Sequence, residues 1–384
     1  MHILLVEPEY YTRYPPLGLL KLASFHRSKN NSVELIRGCK TPQRKPDQIY
    51  VTSLYTWAWK PVWKTIRYYK GLYPNVKVIL GGIYASLMPK HAKSSGADCV
   101  YTEIFKDAED LMPAYDLIPQ WDASIVQTSR GCNRTCQYCA VWRIEGRINS
   151  EKNTIKNLVY PTHKRIILWD NNILQSNYWN EIFNELIWFS KTKNMKIDFN
   201  QGIDARLITP EIAKKISQMK TTCVRLSYDT KELRNDVETA ISALSSSGLR
   251  KRHICVYLLF NFLDDPNDLF ERVKDVLNFG AVAVPLRYQP LDVLKYNQHI
   301  GPKWDMEKLN SFAKFRRICG FGGVFPPYKW LVDRFNNSES FDIAFTSPPR
   351  NDTLENRAHK DFFNAWRRSK DWRSVSKNFL GKKW

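Results

Sequence analysis

The 384-residue sequence predicts an α/β protein: an N-terminal Rossmann-like parallel-sheet domain, then a partial (β/α)6 barrel, then a basic C-terminal extension. Three observations predict it. Short apolar runs alternate with helical patterns in two successive series, a glycine pair closes the fourth run of the first series, and the second series begins with a run leading straight into a cysteine cluster. Such alternation implies largely parallel strands covered by helices on both faces. A chain this long exceeds one minimal core.

The first series spans residues 1–118. Its expected strands are Ile3 to Val6, Val33 to Ile36, Gln48 to Ser53, Val76 to Leu80 and Cys99 to Tyr101, with helices around Leu17 to Arg27 and Val62 to Tyr69. Gly81 and Gly82 follow the fourth strand, where glycine permits either a tight strand-to-helix turn or close approach of backbone to a ligand. Met112 to Trp121 reads as a connector, with Pro113 and Pro119 near its ends.

The second series spans 119–290. Strands are expected at Ser124 to Thr128, Arg165 to Trp169, Met195 to Phe199, Thr222 to Ser227, His253 to Leu259 and Ala281 to Arg287. Helices are expected over Trp179 to Phe189, Pro210 to Met219 and Leu269 to Phe279. Six strands suit a partial barrel better than eight units would, and parallel sheets carry their chemistry at the C-terminal strand ends.

The extension, 291–384, is less regular, with Gly320-Phe321-Gly322-Gly323, the loop Ser347-Pro348-Pro349 and a helical stretch from Lys360 to Val375. It concentrates Trp366, Arg367, Arg368, Lys370, Trp372, Arg373 and Trp384. A formal charge of +20 would attract polyanions, nucleic acid first among them. Cations there would neutralise phosphates and the indoles would stack on bases, unless the helix simply packs through Phe363 and Trp366.

No apolar run approaches the roughly 18 residues of a membrane span. The start Met1-His2-Ile3-Leu4-Leu5-Val6-Glu7-Pro8 lacks the pattern of a signal peptide and reads as a first strand, so the expectation is a cytoplasmic protein with no membrane partner.

Of eight cysteines, Cys39, Cys99, Cys223, Cys255 and Cys319 are scattered and read as small buried apolar residues. Cys132, Cys136 and Cys139 are separated by three residues and then two, within Arg130-Gly131-Cys132-Asn133-Arg134-Thr135-Cys136-Gln137-Tyr138-Cys139. Three soft thiolates in one loop suit an iron-sulfur cluster or zinc. Three ligands leave one iron of a cubane open, whereas structural zinc usually takes four protein ligands. Zinc completed by Cys99 or His163 is the alternative.

This triplet, with the aromatic Tyr138 directly before the third cysteine, resembles the radical S-adenosylmethionine (SAM) superfamily. Pro15-Pro16-Leu17-Gly18-Leu19-Leu20 and Gly81-Gly82-Ile83-Tyr84-Ala85 resemble the cobalamin-binding-type domain found upstream in one branch of it. The resemblance implies a [4Fe-4S] cluster on Cys132, Cys136 and Cys139, with SAM chelated at the open iron. Its one-electron cleavage would give methionine and a 5′-deoxyadenosyl radical that abstracts a substrate hydrogen. It also implies an external electron donor such as flavodoxin or ferredoxin. Cobalamin is a further candidate cofactor, although the aspartate-x-histidine-x-x-glycine signature of its histidine-ligated form is absent. Tyr55-Thr56-Trp57-Ala58-Trp59 would either shape a corrin pocket or fill its space.

Strand ends supply the remaining candidates. Tyr138, Gly81 and Gly82 count as cofactor contacts through the resemblance. Asp170 and Asn171 would meet the methionine amino group or ribose, or cap the next helix. Asn200, Gln201 and Asp204 gather beside Gly202, as a binding loop or an ordinary turn. Arg225 and Ser227 would meet the cofactor carboxylate and ribose, or form an internal salt bridge. Arg287 is another carboxylate or phosphate candidate. The expected activity is radical modification of a nucleic acid, with RNA or tRNA favoured. The alternatives are a cobalamin-dependent radical SAM C-methyltransferase acting on a small molecule or peptide, and a non-enzymatic zinc-stabilised nucleic-acid-binding protein.

Overall fold

Five strands, β1 (His2–Glu7), β2 (Ser32–Arg37), β3 (Gln48–Ser53), β4 (Lys77–Gly82) and β5 (Cys99–Val100), form one sheet in the order β2-β1-β3-β4-β5. Every pairing is parallel. The computed structural model describes residues 1–346. The Ser347-Pro348-Pro349 loop and the basic helix expected over Lys360 to Val375 lie outside the described residues. Leu4, Val6, Ile49, Val51, Val78 and Leu80 alternate along their strands and are buried under the helix Trp59–Leu72. Burying one such aliphatic side chain contributes about 1.5–3 kcal/mol.

Six further strands build the second unit: β6 (Ala123–Val126), β7 (Arg165–Leu168), β8 (Lys196–Phe199), β9 (Val224–Ser227), β10 (Ile254–Phe260) and β11 (Val282–Arg287). They hydrogen-bond as two parallel triplets, β6-β7-β8 and β9-β10-β11, joined through a parallel bridge between Ile197 and Thr221. The result is the expected partial barrel. On its outer side lie the helices Trp179–Thr192, Pro210–Ser217, Arg234–Ser246 and Pro266–Asn278, whose apolar faces share one core with the strands. Thr209 and Asp265 start two of them by accepting the backbone N–H of Ile212 and Asp268, each followed by a proline at the first helical position. The inner face is sealed toward its base by Cys223, Cys255, Val282, Val284, Phe321 and Val324. Among the described residues no helix is long and apolar enough to cross a membrane.

The C-terminal edges of the two sheets face each other. Tyr14, in the loop after β1, accepts a hydrogen bond from Asn200 Nδ2 (2.6 Å) and packs its ring on Trp169 (5.3 Å). Glu109 binds Lys21 and Arg130, so the first unit is also tied to the residue two before Cys132. Burial raises the Glu109 carboxyl, but the bonds from Arg130 and Lys21 outweigh it and the net displacement is downward.

Candidate cluster and cofactor site

The cysteine loop leaves β6 and is anchored before its first cysteine. Asp170, just past β7, is buried, and its Oδ1 accepts from the backbone N–H of Thr128 (2.9 Å) and Ser129 (2.8 Å) and from both hydroxyls (2.5 and 3.0 Å). Burial pushes its carboxyl upward against the pull of those bonds. Asp170 Oδ1 thus holds the loop backbone, while its buried Oδ2 has no partner among the described residues. Asn171 acts similarly, through Glu145: Glu145 Oε2 accepts from Asn171 Nδ2 (2.8 Å) and Gly131 N (2.9 Å), and Oε1 from Arg130 (3.0 Å). Gly131 has φ of 76°, and a Cβ there would lie 2.2 Å from the Arg147 carbonyl oxygen, so only glycine lets the loop close.

The three thiols are half-buried and none forms a disulfide. Cys132 Sγ accepts from Arg134 N (3.4 Å), and Asn172 Nδ2 lies 3.9 Å away; Cys139 Sγ accepts from Val141 N (3.5 Å). N–H groups aimed at sulfur stabilise thiolate and suit cluster ligation. A cubane takes each of three thiolates on a different iron. The donor set fits an iron-sulfur cluster.

Beside the loop opens a cavity of about 330 Å³, lined by Tyr138, Asp229, Thr230, Leu259 and Phe262. Tyr138 donates its hydroxyl to Asp229 Oδ2 (2.8 Å) and meets the Phe262 ring edge-on at 5.8 Å. Burial raises the Asp229 carboxyl, opposed by that hydrogen bond. Behind the cavity Arg272, fully buried, donates to the carbonyls of Tyr228 and Leu259 and pairs with Asp264 and Asp268. Glu232, Asp264 and Asp268 also line the cavity, so its wall pairs apolar and aromatic side chains with several carboxyl groups.

The other candidates divide. Asp204 is drawn into the site: it accepts from Arg206 (2.7 Å), Arg134 (3.2 Å) and Asn172 (3.1 Å). Burial raises its carboxyl, but the Arg206 bonds and both guanidinium charges bring it below its usual value. Asn200 bonds Tyr14, and Gln201 is exposed. Arg225, 2% exposed, pairs with Asp198 and donates to the Phe199 carbonyl (3.2 Å), which realises the internal-salt-bridge alternative. Ser227 is half-buried at the end of β9. Arg287 ends β11 and bonds the His299 carbonyl. Asp229, Glu145, Asn172, Arg134 and Phe262 lie outside the expected set; Asp229 carries a signal in the sequence, since it follows Arg225 and Ser227 at the strand's alternating spacing.

At the opposing edge, Gly82 has φ of 101°, and a Cβ would lie 2.2 Å from the Ser53 carbonyl oxygen. Ser53 Oγ donates to the Gly81 carbonyl (2.7 Å). The glycine pair packs tightly against Ser53 at the strand-to-helix turn. Residues 9–115 match the family model described as B12 binding domain. Over 309 residues the chain is 23% identical to the ribosomal protein uS12 methylthiotransferase RimO of Clostridium botulinum strain Hall, and 24% identical to that of strain Langeland. Each match covers 74% of this chain and 63% of the relative's length. Among solved structures, the apo cobalamin-dependent S-adenosylmethionine radical enzyme OxsB aligns with a TM-score of 0.50 at 14% identity, over 73% of this chain and 51% of that one. The chain joins a cobalamin-binding-like domain to a radical SAM fold.

Whether the cobalamin-binding-like domain can take a corrin is a question about its switch point, the crevice between the loops after β1 and β3 where ligands of such sheets sit. A run of rings crosses it. Tyr10 meets Tyr55 edge-on (6.4 Å), Tyr55 stacks on Trp57 (4.7 Å, 14°), and Trp57 leans on Tyr296 beyond β11 (4.9 Å). A corrin is a broad plate that would have to displace this bridge. The residues present do not fit it, and no step is derived through cobalamin.

Proposed function

We propose that this chain cleaves SAM reductively at a cluster held by Cys132, Cys136 and Cys139, and that the radical formed acts on a polypeptide or small-molecule substrate. The observation that carries the proposal is the cysteine loop, with the sulfurs of Cys132 and Cys139 bonded by backbone N–H donors, opening beside a cavity walled by Tyr138, Phe262 and Asp229. The cluster, when bound, supplies one electron to break the sulfonium C–S bond of SAM, leaving methionine and a 5′-deoxyadenosyl radical that takes a hydrogen atom from substrate. Asp170, Asn171 and Glu145 hold the loop in place. Tyr138 and Phe262 offer apolar faces to a base, and Asp229 accepts a hydroxyl or amino hydrogen. Arg134 and Arg206, both on Asp204, are the cations available to a carboxylate near the cysteines.

The relatives move the substrate away from nucleic acid, since RimO is named for a ribosomal protein. The charge of +20 favours the second reading, an RNA substrate, and also suits a polypeptide presented beside RNA. The working division of the chain at residues 118 and 290 belongs to the same proposal, with the first unit acting as a scaffold over the barrel mouth. Anaerobic reconstitution with reductant and SAM tests it, with a protein fraction, a small-metabolite extract and an RNA pool in separate arms. The expected products are 5′-deoxyadenosine and a mass change in the protein or metabolite arm. Iron-loaded protein that makes no 5′-deoxyadenosine overturns the reaction; a mass change confined to the RNA arm overturns the substrate.

A further inference from the structure

The segment beyond β11 gathers hydrogen-bond donors that have nothing to bond. Arg287 gives Nη2 to the His299 carbonyl (2.8 Å), while its buried Nε has no partner among the described residues. Gln289, 9% exposed, accepts Asn297 N with Oε1 (3.1 Å) and leaves Nε2 buried and unpartnered; the buried Nε2 of His299 is in the same condition. These groups are held in position. Asn261, fully buried with φ of 68°, donates to the carbonyls of Tyr288 (3.4 Å) and His299 (3.1 Å) and accepts Gly301 N (2.8 Å). The Tyr288 ring meets His299 edge-on at 5.1 Å.

A second guanidinium stands close by. Arg316, from the helix Met306–Ile318, places Nε and Nη2 on the Gly323 carbonyl (2.9 and 2.6 Å), and both it and Arg287 act electrostatically on Tyr296. Among the described residues neither arginine has a carboxylate partner. Asp292, in the same segment, is paired with Arg143 (3.5 Å). Burial pushes Arg316 down to about 10 and Arg287 below its ordinary value, as befits cations kept from water without an anion.

A buried donor left without a partner is destabilising, and two uncompensated cations near one phenol repel each other. Two such donors, Arg287 Nε and Gln289 Nε2, beside an imidazole nitrogen able to donate, call for an acceptor that brings negative charge. We infer that Arg287, Gln289 and His299, with Arg316 behind them, bind an oxyanion of the substrate, a carboxylate or a phosphate. Planar guanidinium donors match either. The position suits a substrate anchor. Tyr288 touches Phe262 (4.6 Å), which touches Tyr138 of the cofactor cavity, and Tyr296 touches Trp57 at the crevice between the two units. The word substrate rests on the proposed function; the anion site does not.

The test is a titration of the full chain with inorganic phosphate and with glutarate, each at constant ionic strength against chloride. It is read by tryptophan fluorescence, because Trp57 leans on Tyr296 (4.9 Å). A saturable response to one oxyanion is expected, and it names the class. Arg287→Gln should raise the midpoint about tenfold or more, the loss of one charge-assisted hydrogen bond. Gln289→Leu, which removes an unpartnered donor without touching charge, should raise it less. Circular dichroism and iron content establish that each variant is folded, and Gln289→Leu carries the test if Arg287→Gln is not. No response beyond chloride, or folded variants that titrate like the parent, overturns the inference. Failure of the radical reading shows separately, as iron-loaded parent protein that makes no 5′-deoxyadenosine.

Discussion

Two parallel sheets in this molecule present their C-terminal edges to each other, and only one edge is equipped for chemistry. At the first sheet the crevice between β1 and β3 is bridged by Tyr10, Tyr55, Trp57 and Tyr296, and Ser53 satisfies both the Gly81 carbonyl and the Ala85 N–H. Among the described residues of that edge, Thr56 Oγ1 is the one buried side-chain polar atom left over. The barrel edge leaves Asp170 Oδ2, Asn172 Oδ1, Arg287 Nε and Gln289 Nε2 unpartnered, next to three thiols and a cavity. The rule that parallel sheets work at their C-terminal ends holds for both as geometry. An edge becomes a site where it keeps spare hydrogen-bonding capacity and room.

The comparison can be broken most sharply at the barrel. Cys136→Ala should abolish both cluster iron and 5′-deoxyadenosine formation, measured by iron and labile-sulfide analysis and by chromatography; full activity in that variant would remove the distinction between the edges. Asp229→Ala should keep its iron but weaken SAM binding about tenfold or more, as expected for one lost hydrogen bond to a charged group. Equilibrium dialysis with SAM measures it.

At the first sheet the expected effects are on stability. Gly82→Ala forces a Cβ into the Ser53 backbone at a left-handed φ, and should cost about 1–3 kcal/mol in denaturant unfolding while sparing cluster assembly. Glu7 ends β1, and burial raises its carboxyl from 4.5 to about 7 against the lowering effect of Arg37. The folded state thus holds a proton that the unfolded state releases. Its contribution is fully present below about pH 4.5 and is lost as pH rises through about 7. Glu7→Gln should therefore match the parent near pH 4 and exceed it at pH 8 by about 1 kcal/mol or more, a rise of about 2 °C or more in melting temperature. The smallest effect is none: hydroxocobalamin dialysed against the full chain should not be retained stoichiometrically. A bound equivalent would show that the aromatic bridge opens.

Much of the fold was legible because its elements are locally consistent. All eleven strands sit where apolar runs placed them, and Pro210 and Pro266 start helices at the first turn. The helix Arg234–Ser246 was not anticipated, although Val237, Ala240, Ile241 and Leu244 carry the helical period; its serines hide the pattern. In the site, the cysteines were readable because three thiols at close spacing announce their chemistry locally. For Arg225 and Asp170 a charged residue at a strand end shows its charge but not its partners, and Asp198 and the Thr128–Ser129 backbone, remote in sequence, bind Arg225 and Asp170 Oδ1.

By itself the amino-acid sequence determined the two series of strands and helices, the cysteine triplet and the surplus of positive charge, since periodicity, spacing and composition are properties of neighbours along the chain. Tertiary structure decided which polar groups remained available. Whether Asp229 faces a cavity, whether Arg225 is spent, whether Trp57 closes a crevice and whether Arg287 lacks an anion all depend on residues brought together from different strands. The cost of leaving a buried donor or charge unpaired is settled only there.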